Sequence, residues 1–91
     1  MNKLPIIKAK EFEKILIKMG FEKLRQQGSH MFFQHKDGRT TVVPNHPGEN
    51  LDRHLMNKII KHDLEISREE FFKYYKNWKW IYLLYIEINS N

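Results

Sequence analysis

The 91-residue chain contains no cysteine. That absence excludes a disulfide framework and any zinc site built on thiolates. There is also no apolar run approaching the roughly 18 uncharged residues that a membrane-spanning helix requires, and the first residues, MNKLPIIKAKEFEK, lack the apolar stretch of a signal peptide. A cytoplasmic location is the expectation. The length allows one modest core and leaves no room for a second catalytic lobe, so any active site must be shallow and built from few groups.

Excess acidic charge is lacking too, and the basic excess is uneven. Residues 1–39 hold nine Lys/Arg against four Asp/Glu, whereas residues 40–91 hold seven against seven, so the whole net charge of +5 sits in the first half. Such a distribution favours a polyanionic partner, nucleic acid first, with acidic lipid or an acidic protein behind it. A solvated, lysine-rich helix face is the plainer reading of the same residues.

In "AKEFEKILIKMG" the apolar residues Phe12, Ile15, Leu16 and Met19 fall at i, i+3, i+4 and i+7. This predicts an amphipathic helix with Gly20 just past its end, Pro5 blocking an earlier start and no good N-cap residue. "FEKLRQQ", "HMFFQHK" and "RTTVVP" read as three strands, separated by Gly28-Ser29 and by Asp37-Gly38, the latter a two-residue hairpin signal. After the loop "NHPGEN", helical spacing resumes at Leu51, Leu55, Ile59 and Ile60 and ends near Leu64. Ser67 and Glu70 form a capping box for a short third helix at Phe71 and Phe72. Helix, three strands, helix and a helical addendum make a two-layer α+β domain with a three-stranded antiparallel sheet, one of whose faces is left open.

The end of the chain differs from the rest. Eight of the twelve aromatic residues lie between Phe71 and Tyr85, and "WIYLLYIEI" reads as a β-prone segment rather than a continuation of the helix. Residues 1–77 are therefore taken as the domain and 78–91 as an aromatic extension: an added edge strand, a dimer contact or a hydrophobic tail.

Strand parity singles out His30. If Met31 and Phe33 face the helices, then His30, Phe32, Gln34 and Lys36 face the open side, and Arg39 lies across the turn. An imidazole that titrates near neutrality, cations and an exposed ring are what RNA cleavage uses, and RNA brings its own 2′-OH nucleophile, so no metal is needed. A strand histidine that merely satisfies a local hydrogen bond remains the alternative on these grounds. His30, His35 and His46 make a poor metal set, because positions five apart on a strand point to opposite faces and no carboxylate sits at ligand spacing. Ser29 beside His30 is a poor nucleophile–base pair for the same geometric reason. Lys10, Lys14 and Lys18 form a stripe that is either a solvated helix face or a set of phosphate contacts.

The run "KILIKMGFEKLRQQGSHMFFQHKDGRTTVVPNHPG", followed by "NKIIKHDLEISREEF", resembles the HicA family of bacterial and archaeal toxins, also described as YcfA-like messenger-RNA interferases. The resemblance covers about residues 4–73 and rests on Gly28-Ser29-His30 together with Gly20-Phe21 and Pro44-x-His46. It implies a double-stranded RNA-binding-like fold, a metal-independent endoribonuclease that arrests translation by cutting mRNA, no cofactor, and a HicB-type antitoxin covering the active face. On this resemblance His30 is the catalytic residue, presented by the Gly28-Ser29 turn. Lys36 and Arg39 are the first candidates for phosphate contact, Arg25 and Lys10 the next, and His46 is a second proton-transfer candidate or a loop hydrogen-bonding group. Two departures from the family pattern stand out: His54 and Glu65 occupy positions where the family usually carries glycine. A non-catalytic RNA-binding module of the same fold, and an interaction protein working through its tail, are the alternative functions.

Overall fold

The computed structural model describes residues 3–89. Its elements are α1 (Ala9–Lys18), β1 (Phe21–Gln27), β2 (His30–His35), β3 (Thr40–Pro44), α2 (Arg53–Lys58, continued by a π-helical turn over Ile59–Asp63) and α3 (Arg68–Asn89). The three strands form one antiparallel sheet in the order β1-β2-β3, with the helices on a single face, which is the predicted two-layer α+β arrangement.

Each boundary has a local cause. Helix α1 is capped at Lys8, where the Glu11 carboxylate accepts the Lys8 backbone N–H at 3.3 Å. It stops at Gly20, whose φ of +100° suits glycine. A Cβ there would also lie 2.9 Å from the His35 ring, so the position is restricted by backbone and neighbour alike. Between β1 and β2, Gln27 pairs with His30 across Gly28-Ser29, and only Gly28 of the two has positive φ (59°). This is the two-residue turn with glycine at its first central position, whose twist matches the strands.

The second hairpin corrects the two-residue reading of Asp37-Gly38. The His35 N–H donates to the Arg39 carbonyl at 2.8 Å and the Gly38 N–H to the His35 carbonyl at 2.9 Å, so the loop is the three residues Lys36, Asp37 and Gly38, with Gly38 at φ +101°. A type I turn followed by a left-handed glycine is the next most favoured hairpin connection. Lys36 consequently sits in the turn, beyond the last residue of β2.

The tail is the larger correction. Residues 68–89 form one 22-residue helix that runs through position 78 without a break; residues 90 and 91 of the expected extension, like residues 1 and 2 of the expected domain, lie outside the described residues. Glu70 N–H donates to Ser67 Oγ at 3.0 Å, the serine half of the predicted capping box. No glycine or proline follows before Asn89, and Trp78 is buried in the core, so packing and propagation from a capped start override the strand preference of Trp, Tyr and Ile.

Core and caps meet where α2 ends. Met31, Phe33 and Val43 of the sheet pack with Phe12, Leu16 and Phe71 of the helices, and the Phe12 and Phe71 rings lie 5.8 Å apart. Buried Thr41 donates its hydroxyl to Asp63 at 2.9 Å. The π-turn closes with Leu64 N–H on the Ile59 carbonyl (2.9 Å) and Ile66 N–H on the Ile60 carbonyl (3.2 Å), a reversal that forces Glu65 to φ +55°. Glycine would adopt this backbone without the side-chain penalty. Glu65→Gly is expected to stabilise the domain by about 0.5–1 kcal/mol, the left-handed penalty of about 1–2 kcal/mol outweighing the entropy that glycine adds to the unfolded chain. Urea unfolding checks it, and a lower midpoint for the glycine variant would contradict this account of the turn.

Candidate active face

The open face of the sheet is centred on β2. Met31 and Phe33 are buried toward the helices, while His30 and Gln34 are exposed and Phe32 is half-buried on the other side, as parity predicts. Phe32 pairs with Val42 on one side and with Arg25 on the other; His30 pairs with Pro44 and Gln27.

Arg25 reaches this face through a β-bulge. Without an irregularity, Phe21, Lys23, Arg25 and Gln27 would all point at the core. The pairing shifts between Lys23, opposite Phe33, and Arg25, opposite Phe32, so Leu24 is the extra residue. Lys23 stays on the helical side, with its ammonium 3.6 Å from Glu13 of α1. Arg25 emerges on the open side and lays its guanidinium over the Phe32 ring, Cζ 4.2 Å from the centroid. A sequence signal was available: an unbroken β1 would turn an arginine and a glutamine into the core, which a small domain cannot tolerate unpaired.

The turn that presents His30 is braced on both sides. Gln26 Nε2 donates to the Gly28 carbonyl at 3.2 Å, and Asn45 N–H donates to the Ser29 carbonyl at 2.6 Å, just past Pro44. The His30 imidazole itself is exposed, and no hydrogen bond or ion pair within the described residues engages it. It is neither a core histidine nor a local hydrogen-bonding one.

The other candidates fall elsewhere. Lys36 is exposed in the second turn, six residues and therefore roughly 20 Å along the strand direction from His30. Arg39 is near that end as well and is spent on structure. Its Nε donates to both Asp37 carboxylate oxygens (3.1 and 2.9 Å), Nη2 lies 2.9 Å from one of them, Nη1 donates to the Leu64 carbonyl, and the guanidinium covers the Phe21 ring. It ties the hairpin to the end of α2 and does not join the His30 row. Lys10 belongs to the helical layer, in a groove with Lys14, Trp78 and Lys79. His46 is exposed in the loop two residues after Pro44, the partner of His30, and its carbonyl accepts the Glu49 N–H at 3.0 Å.

Asp37 has a displaced titration. The Arg39 guanidinium, then the Arg39 backbone N–H, hold its carboxyl below the ordinary value of 3.8. A depressed folded-state pKa adds stability above the unfolded value and loses it as pH falls through the folded one. The melting-temperature advantage of wild type over Asp37→Asn is therefore expected at neutral pH and should shrink on acidification below about 3.8, the ordinary value. Paired thermal melts across that range give the answer, and a gap that widens in acid would refute the clamp. His35 lies beside it, Nδ1 accepting the Asp37 N–H at 3.1 Å; Asp37 Oδ2, at the same distance, is a hydrogen-bond partner only when Nδ1 carries a proton.

No group of three or more His, Asp or Glu side chains at metal-binding distance forms among the described residues, and no described helix is long and apolar enough to cross a membrane. Residues 9–63 match the family model described as the HicA toxin of bacterial toxin-antitoxin. The chain belongs to the HicA toxin family. The match takes in α1, the whole sheet and the π-turn, hence every residue of the His30 face, and stops before α3. Membership makes this HicA chain the toxin of a toxin-antitoxin system, with an antitoxin as its partner. No curated protein and no solved structure was found to match the chain.

Proposed function

We propose that this HicA-family chain is a metal-independent endoribonuclease that cleaves mRNA, with His30 as its proton-transfer residue. The observation that carries the reading is an exposed imidazole with no partner among the described residues, held on a braced turn in one row with Phe32 and Arg25 on the open face of the sheet. Unpaired bases stack on aromatic rings and guanidinium planes, so Phe32 with Arg25 above it can take a base or clamp a phosphate. Residues two apart on a strand are about 7 Å apart, which puts His30 at the sugar-phosphate next to a base held there. The imidazole then removes the proton of the 2′-OH, the 2′-oxygen attacks the adjacent phosphorus as the bond to the 5′-oxygen breaks, and the leaving 5′-oxygen takes a proton from water, giving a 2′,3′-cyclic phosphate and a 5′-hydroxyl.

In this reading the guanidinium that stabilises charge is Arg25, and Arg39 acts only by fixing the hairpin. Lys36, some 20 Å from His30, would meet the backbone several nucleotides away. Gly28 and Ser29 shape the turn, and Lys10 contributes long-range attraction from the helical layer. Arg25→Ala is expected to weaken RNA binding by about 5- to 150-fold, the range of a lost stacking or charged contact of 1–3 kcal/mol, and to flatten the salt dependence by about one ion. Filter binding at several salt concentrations measures both; unchanged affinity would remove Arg25 from the interface. A HicB-type antitoxin covering the open face would silence the enzyme by occupying the same row.

A binding module of the same fold is the second reading, favoured by there being one imidazole in the row where acid and base steps call for two groups. Induced expression decides: the enzyme arrests growth and leaves transcripts with cyclic-phosphate ends, whereas the module binds RNA that stays intact.

A further inference from the structure

The apolar stripe by which α3 closes the core continues after the core has ended. Phe71, Tyr74 and Trp78 are spaced three and four apart, and the same alternation runs on through Ile81, Tyr85 and Ile88. The first three lie against the domain; the second three are 49%, 63% and 78% exposed. Leu84 is exposed beside them, and Trp80, Leu83 and Ile86 are exposed on the other sides of the helix. Ile81, Tyr85 and Ile88 with Leu84 present roughly 500 Å² per copy, so two copies would bury about the 1,000 Å² at which a specific interface begins. A contiguous apolar stripe left open by its own domain marks a surface for a partner.

We infer that this distal half of α3 docks on the same segment of a second copy of the chain, with Ile81, Tyr85 and Ile88 as the seam. Three observations favour a copy over other occupants. The spacing is the heptad alternation by which two helices interdigitate, and each copy offers the other an identical stripe. The seam also begins at Trp78, where the protomer's own core stops, so the pairing extends that core across the two-fold axis. Glu87, the one charged residue between positions 80 and 89, falls off the seam, so self-pairing buries no like charges. An anionic lipid surface would call instead for a basic polar face, and this segment has no lysine or arginine. Because α3 lies on the helical side of the sheet, the dimer leaves both His30 faces open.

Light scattering on the full chain at micromolar concentration tests the seam. Wild type is expected at twice the 11.1 kDa chain mass and the triple variant Ile81→Glu, Tyr85→Glu, Ile88→Glu at 11.1 kDa. Circular dichroism should show the helix content kept in both. Leu83→Glu, on the opposite side of the helix, should remain dimeric. A monomeric wild type overturns the inference, including one that associates only with lipid vesicles or with an antitoxin. So does a dimer that survives the triple variant, or one that Leu83→Glu dissociates equally well.

Discussion

His30→Ala is expected to lower the rate of RNA cleavage by about 10²- to 10⁴-fold, the usual contribution of a positioned proton-transfer group. Stability should change by no more than about 0.5 kcal/mol, because the imidazole is exposed and holds nothing in place within the described residues. The two expectations together make the experiment decisive. A strand histidine that served packing would move stability and activity in parallel, and one that only touched phosphate would move affinity without a specific loss in rate. Single-turnover cleavage at saturating protein separates the cases, since it removes binding from the measured rate. A His30→Ala chain that cuts at the wild-type rate would end the catalytic assignment and leave the binding module in possession of the face. His46→Ala, assayed alongside, asks whether the loop after Pro44 supplies the second proton transfer.

How much of this was legible beforehand depended on whether the informative forces were local. The core face of β2 could be read because alternation is strict in an unbulged strand, and Met31 and Phe33 left one economical choice. The position of Gly20 followed from helix termination in the same way. Arg25 was harder, because a single extra residue at Leu24 reverses the face of everything after it. The surroundings of Arg39 were illegible for a different reason. A cation beside a turn looks free in one dimension, and only the folded chain brings the Leu64 carbonyl, 25 residues away, under its guanidinium. The tail misled through composition: strand propensity reports fit to a half-buried pleated surface, and residues 78–89 pair with neither edge of the sheet. Their backbone instead extends a helix already nucleated at Ser67 and anchored by Phe71.

That anchor supports the second large effect. Phe71→Ala is expected to destabilise the domain by about 3–5 kcal/mol, the range for emptying a fully buried aromatic site. A native domain of this size has of order 5–15 kcal/mol in total, so the loss could be most of it. The family match ends at residue 63, yet the face that α1 turns inward is not closed there. Phe12 is fully buried, and the ring packed against it at 5.8 Å is Phe71, which lies outside the matched segment. Without α3, Phe12, Leu64 and their neighbours would face water, at about 25 cal/mol for each Å² of apolar surface uncovered. Helix α3 is thus two things along one length: through Trp78 it completes the toxin's core, and beyond Lys79 it leaves it. Truncation should resolve the two parts. Removing residues 80–91 is expected to preserve the cooperative unfolding transition, whereas removing 68–91 should abolish it. A Phe71→Ala chain that unfolds within 1 kcal/mol of wild type, or a 1–67 fragment that melts cooperatively, would show that the matched segment closes its own core and that α3 is only laid upon it.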